Sequence, residues 1–288
     1  MESDKSIEEI ASGIEKLSSN ESYKILIALN EDGAIIGWIY YYIGMPPMAF
    51  INGFLPIVKQ SEESEDIATA LIEASKKDVI ERGYSRLEIQ FDLMTDAYRT
   101  MQGKYVDWYK KCGFQFASEE AHMKTNLKVI DIPDSDLPDG YMVRKFSDLS
   151  YEQLELAGLQ TFQNGGDLLF RSMNRNEQIV TLKFFFDKTK PYLDDSSLVL
   201  VKKGRVVGFV IARRSDDEAE IGPVGLVPEV QGQGLGSYLL GSSLKNLRNI
   251  GLIAAFLDMS VSNLPAKRLY SKFGFEDVYY KQFYYWAP

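Results

Sequence analysis

A mixed α/β fold built twice in tandem is predicted by three observations. The chain contains an internal repeat too long for a solenoid unit, a glycine-rich turn between an apolar strand and an amphipathic helix, and aromatic strands that close each half. In element order, each half opens on a hairpin. Asp32-Gly-Ala-Ile-Ile-Gly-Trp-Ile-Tyr matches Lys203-Gly-Arg-Val-Val-Gly-Phe-Val-Ile, a turn glycine followed by a strand carrying a second glycine. A third strand then ends at Phe54-Leu-Pro56 and Leu226-Val-Pro228, and a helix runs to Glu81-Arg-Gly83 and Asn249-Ile-Gly251. Next come a strand (Arg86 to Phe91; Ala254 to Met259) and a short helix ending in Trp108-Tyr-Lys-Lys-Cys-Gly-Phe114 or Leu269-Tyr-Ser-Lys-Phe-Gly-Phe275. Aromatic strands such as Asp277 to Trp286 close the pattern.

The stretch Asp131-Ile-Pro-Asp-Ser-Asp-Leu-Pro-Asp-Gly140 reads as a solvated linker, giving domains at 1–130 and 141–288 around a linker at 131–140. Ala34 to Val58 carries no charge and is long enough to span a bilayer. Pro46, Pro47 and Pro56 interrupt it, and its β-branched and aromatic content favours buried strands. No membrane segment is expected. Glu2, Asp4, Lys5, Glu8 and Glu9 stand where a secretory signal needs a basic start followed by an apolar run, so the reading is a cytoplasmic protein.

The 288 residues have a net charge of −9, which argues against nucleic-acid binding, where a basic face is the usual footprint. Residues 1–128 carry −7 of it. One cysteine, Cys112, and one histidine, His122, cannot build a Cys/His zinc site, an iron–sulfur cluster or an internal disulfide, and no metal is expected. With no partner that sequence can name, Cys112 reads as a small buried thiol and His122 as a surface or strand histidine.

The sharpest local feature is Gln231-Gly-Gln-Gly-Leu-Gly236, between an apolar strand (Val224 to Val227) and a helix marked by Tyr238, Leu239, Leu240, Leu244 and Leu247. Glycines let a ligand approach the backbone, and N–H groups at a helix start favour phosphate oxygens. A P-loop is excluded because the Gly-Lys-Ser/Thr end is absent, and a dinucleotide fingerprint fails because the flanking elements do not recur as in a doubly wound sheet.

Here the chain resembles the GNAT superfamily of acyl-CoA-dependent N-acetyltransferases. The glycine loop has that family's Q/R-x-x-G-x-G/A pattern, preceded by Val227-Pro-Glu229 and followed by Asn263-Leu-Pro-Ala266 and Leu269-Tyr-Ser-Lys-Phe-Gly-Phe275. The resemblance covers residues 141–288, and residues 23–128 look like a worn copy. It implies tandem domains, each a mixed, mostly antiparallel sheet flanked by helices, with a parallel splayed pair at the cofactor site.

It further implies acetyl-CoA as co-substrate, its pyrophosphate held by amides of Gln231, Gly232, Gln233, Gly234, Leu235, Gly236 and Ser237. The pantetheine arm would run beside Gly225, Leu226 and Val227 like an added strand, with the Leu226 N–H polarising the thioester carbonyl. Asn263 would bond the arm while also suiting a helix N-cap, and Ala266 would be small enough to let it pass. Tyr270 would protonate the leaving thiolate. Glu220 is the candidate base for the amine, with a solvated carboxylate as the alternative. The segment Thr161 to Asn176, read as lying between helices, would border the acceptor.

In the first half the equivalent of the glycine loop is Gln60-Ser-Glu-Glu-Ser-Glu-Asp66, whose carboxylates would repel a pyrophosphate. That half is expected to lack the cofactor. It would complete the pocket of a cationic small-molecule amine, or else stabilise the second domain or a homodimer. The implied reaction is acetyl transfer by direct attack in a ternary complex; a non-catalytic acyl-CoA-binding or protein-interaction module is the alternative.

Overall fold

The computed structural model describes residues 19–288, which form two compact units. The acidic start from Glu2 to Glu9 lies outside the described residues.

Unit 1 takes the chain to Ala117 together with Lys281–Pro288. Strands β1 (Tyr23–Leu29) and β2 (Ile35–Met45) form an antiparallel hairpin. Its turn needs Gly33, at φ +79°, where a side chain would be strained. β3 (Met48–Asn52) continues the sheet antiparallel to β2, and the short β4 (Ile57–Val58) also pairs with β2. The uncharged stretch 34–58 is thus spent on strands, as its β-branched and aromatic content predicts. Helix α1 (Ser64–Glu81) leads to β5 (Arg86–Leu93), parallel to β3, and then to α2 (Asp96–Lys111). Ile39, Tyr41, Ile51, Ile72, Ile89, Phe91 and Tyr109 are buried between the sheet and these helices.

Unit 2 is Ser118–Tyr280. It begins within β6 (Gln115–Asn126); residues 130–140 then form neither helix nor strand, up to β7 (Tyr141–Lys145). Three helices follow: α3 (Tyr151–Asn164), α4 (Leu168–Arg171) and α5 (Arg175–Phe185). Capping boxes start α3 at Ser150 with Gln153 and α5 at Asn174 with Glu177, each satisfying amides that a helix start leaves open. Thr161 to Asn164, read from sequence as part of a loop, are the last turn of α3. The connection to α5 is shorter than expected and carries α4.

β8 (Leu198–Lys202) and β9 (Arg205–Ser215) form a hairpin across Lys203 and Gly204, at φ +49° and +77°. Two left-handed residues in a tight turn match the twist of the strands they join. β10 (Glu218–Leu226), α6 (Leu235–Asn249), β11 (Ala254–Ser260) and α7 (Leu264–Lys272) complete the unit, and β12 (Glu276–Trp286) starts in it. Within unit 2 the strand order is β6-β11-β10-β9-β8-β7, antiparallel except for the parallel pair β10 and β11. Val206 to Ala212 are all buried, as befits a central strand. Leu239, Leu240, Leu244 and Leu247, the apolar face read from sequence, are fully buried on α6.

The units interleave along the chain. Residues 118–126, the end of the first half's closing strand, count with unit 2, and residues 281–288, the end of the second half's, count with unit 1. Among the described residues no helix is long and apolar enough to cross a membrane.

Candidate active site

The parallel ladder of β10 and β11 is short. It pairs Glu218, Ala219 and Glu220 with Ala254, Ala255 and Phe256, and stops. On the other side β10 stays paired to β9, through a bulge between Ile221 and Val224, as far as Leu226 opposite Gly208. The Val227 N–H donates to the Val207 carbonyl at 3.0 Å. Antiparallel ladders alternate, so the Leu226 and Val224 N–H groups turn the opposite way, toward the unpaired edge. The Leu226 carbonyl there accepts from Gln231 Nε2 at 3.0 Å. An unpaired strand edge with outward-facing amides therefore runs along Val224 to Leu226.

The chain then makes a 3-10 turn over Pro228–Val230 and enters the glycine loop. Gly232 and Gly234 have φ +75° and +79°, a region that costs an L side chain about 1–2 kcal/mol. A Cβ on either would meet nothing within 4 Å, so backbone conformation rather than crowding demands glycine there. Gly234 is the N-cap of α6, and no side chain caps the helix; its first turn carries no acidic residue. The amides of Leu235, Gly236 and Ser237 have no carbonyl four residues back to accept from them, and the helix dipole adds partial positive charge. Lys272 Nζ lies 3.3 Å from Ser237 Oγ. Gly236 has another purpose: a Cβ would lie 3.2 Å from Leu269 Cδ2, so its absence lets α7 close on α6. The loop is braced by Lys202, which donates to the Tyr141 hydroxyl at 2.9 Å, and by that hydroxyl donating to Gln233 Oε1 at 2.8 Å. These residues fit a diphosphate.

Asn263 caps α7, its Oδ1 accepting from Ala266 N at 3.2 Å, so the capping role read for it is realised. Gly166 packs on it, a Cβ there falling 2.7 Å from Asn263 Cα, and its carbonyl accepts from Ser262 Oγ at 2.9 Å. The connection after α3 is thus brought against the start of α7. Tyr270 is buried on α7, and burial raises its hydroxyl well above the ordinary tyrosine value, holding it protonated.

Glu220 is exposed and lies in register with Arg213 on β9 and Phe256 on β11. Arg213 bonds the Gly222 carbonyl at 2.8 Å and the Phe185 carbonyl at 2.7 Å, tying the β10 bulge to the end of α5. Burial lowers the Arg213 guanidinium, and the charges of Glu220 and Asp187 oppose that effect. Lys190 shares this electrostatic neighbourhood, lowered by burial and by Arg213. His122 on β6 lies in register with Asp258 on β11, with Nδ1 2.8 Å from Asp258 Oδ1. Sequence reasoning found partners for neither Arg213 nor His122. His122 and Asp258 stand 136 positions apart, and no local pattern announces strands that distant as neighbours.

Unit 1 differs at the equivalent place. Ser64 Oγ closes the turn before α1, donating to the Lys59 and Ser61 carbonyls at 3.0 and 2.7 Å, while Ser61 N donates to it at 2.7 Å. Glu65 and Asp66 fill the first turn. The cavity beside it, about 740 Å³, is lined by Glu62, Glu65 and Asp107 together with Lys104. Cys112 is buried, and burial with Glu73 nearby pushes its thiol up to about 12. The thiolate is the reactive form, so Cys112 is expected to react with a thiol reagent at pH 8 at least a hundredfold more slowly than a free thiol until the protein is denatured. Rapid stoichiometric labelling of native protein would contradict this.

Comparison with known proteins shows what the chain is similar to. The family model described as the acetyltransferase (GNAT) family matches residues 168–275. Mycothiol acetyltransferase of Streptomyces coelicolor is 26% identical over 170 residues, 57% of this chain and 52% of that protein. The [ribosomal protein bS18]-alanine N-acetyltransferase of Haemophilus influenzae is 34% identical over 92 residues, 32% of this chain and 62% of that protein. The matched region thus spans about half to three fifths of those relatives. A tandem GNAT protein from the clavulanic acid biosynthesis pathway superposes with a TM-score of 0.55 at 13% identity, covering 93% of this chain and 84% of that one, a likeness of fold. Residues 168–275 are thus similar to the GNAT acetyltransferase family, and the tandem mixed-sheet fold of the chain is shared with GNAT proteins of known structure.

Proposed function

We propose that residues 141–288 transfer an acetyl group from acetyl-CoA to a primary amine by direct attack within a ternary complex. The observation that carries this reading is the conjunction of an uncapped helix start, opened by two left-handed glycines, with the unpaired edge of β10. Bound acetyl-CoA supplies the thioester. The chain's own groups then divide the work. Amides of Gln231 to Ser237, with Lys272, hold the diphosphate, and Gly225, Leu226 and Val227 present the strand edge. The Leu226 N–H offers a preorganised donor to the oxygen on which charge develops. Asn263 and Ala266 border the arm. Tyr270, held protonated by burial, donates a proton to the departing sulfur.

Glu220 faces the acceptor side and takes a proton from the incoming ammonium directly or through water, leaving a neutral amine able to attack. Relatives' names include both a small molecule and a protein alanine as acceptors, and the −7 carried by residues 1–128 favours a cationic amine. In this reading unit 1 binds no coenzyme A, since its carboxylates occupy the place a diphosphate needs.

The test is calorimetry with acetyl-CoA, followed by a thiol-release screen over small amines, aminoglycosides, polyamines and peptides. Binding with release for at least one class is expected; binding without release across all of them would leave a non-catalytic module. Glu220→Gln is expected to lower kcat/KM for a cationic amine about tenfold with little change in acetyl-CoA affinity. A change under twofold would remove Glu220 from the chemistry.

A further inference from the structure

We propose that His122, oriented by Asp258, is a second general base for the acceptor amine, an inference that rests on the transferase reading above. Register places Glu220 beside Phe256 and His122 beside Asp258, and side chains of register partners and of alternate residues share a face. Glu220, Phe256, Asp258 and His122 therefore lie on one face of the unit 2 sheet. Asp258 is two residues beyond the point where β11 stops pairing with β10, about 7 Å along the strand, and so stands beside the opened part of the ladder.

The histidine is built in rather than merely present. Its ring stacks on Tyr279 with centroids 4.5 Å apart and planes 22° from parallel, and lies 5.4 Å from the Phe256 ring. Asp258 accepts from Nδ1–H at 2.8 Å, which fixes the tautomer and leaves the Nε2 lone pair as acceptor. Nε2 has no hydrogen-bond partner among the described residues, and 15% of the side chain stays exposed. A carboxylate behind one imidazole nitrogen, with the other open toward a substrate face, is the geometry by which hydrolases orient a base.

The charged groups around it are Asp258 on β11, Lys124 and Glu120 on β6, and Glu218 and Glu220 on β10. Lys124 is paired with Glu218. Glu220, facing Arg213 and Lys190, is suited to drawing in the ammonium. Glu220 takes the first proton from the ammonium; in the step assigned here, the attacking nitrogen, made cationic as it bonds the acyl carbon, loses its second N–H bond and keeps that electron pair. The proton binds Nε2, and Asp258 faces the resulting imidazolium.

His122 is the chain's single histidine, so diethylpyrocarbonate acylates one imidazole and the reaction is followed on native protein. Expected are loss of thiol release in step with acylation, protection by the acceptor amine found in the screen, recovery with hydroxylamine, and unchanged acetyl-CoA affinity by calorimetry. His122→Gln should lower kcat at least tenfold, and added imidazole should partly restore His122→Ala. Asp258→Asn should lower kcat more than it raises KM. Complete acylation with undiminished turnover, or His122→Gln within twofold of the parent, would overturn the proposal while leaving the transferase reading intact. An unmodified protein that binds acetyl-CoA and acetylates no amine would overturn both.

Discussion

Gly234→Asp is expected to abolish measurable acetyl-CoA binding, raising Kd at least a hundredfold, about 2.7 kcal/mol, in a protein that still folds. Two effects act together. Gly234 sits at φ +79°, so aspartate is strained there and drives the loop toward another conformation. The new carboxylate would also cap the uncapped start of α6, giving its amides to the protein's own anion and opposing a diphosphate. Gly251→Asp is the control. Gly251 has φ +85°, open space around a Cβ, and lies just past the other end of α6, so it reproduces the backbone strain far from the cradle. Calorimetry should find the control's affinity within threefold of the parent. Were Gly234→Asp to bind as tightly, the anion site would have to lie elsewhere.

Tyr270→Phe is expected to lower kcat about a hundredfold while acetyl-CoA affinity changes less than threefold. The substitution removes one oxygen and keeps the ring, which is 7% exposed and lies 5.9 Å from Phe275, so packing in α7 is preserved. What is lost is a proton that burial keeps on the hydroxyl up to high pH. A departing thiolate would then have to draw its proton from water, and positioned acids of this kind contribute on the order of a hundredfold or more. Single-turnover thiol release separates this step from product dissociation. Unchanged turnover would remove Tyr270 as the donor and leave it a core aromatic.

Local signals carried much of the fold. Turn glycines at 33 and 204 marked both hairpins, and each has the positive φ that the turn requires. The short apolar strand followed by a glycine-rich, uncapped helix start was legible, because both causes, left-handed backbone and exposed amides, act within a few residues. The helix cap at Asn263 was legible for the same reason. What sequence hid depends on strands far apart in the chain. Arg213 has no local signal that marks it, because the Phe185 carbonyl it bonds is brought to it by α5. His122 had no nameable partner because Asp258 reaches it only through the pairing of β6 with β11. Thr161 to Asn164 were read as loop because Asn164-Gly-Gly166 suggested a longer break, whereas α3 continues until the glycines begin.

The crossing-over of closing strands between the two units bears on how such a chain can evolve. A duplicated module is ordinarily expendable: one copy keeps the job while the other decays and is deleted. Here deletion of residues 1–130 would also remove residues 118–126 from the retained lobe, taking a sheet strand and His122 with them, while the retained lobe's tail would lose the unit it belongs to. Residues 118–126 and 281–288 are in this way exchanged between the halves, so a cut at residue 130 would leave neither unit with all the chain it is built from.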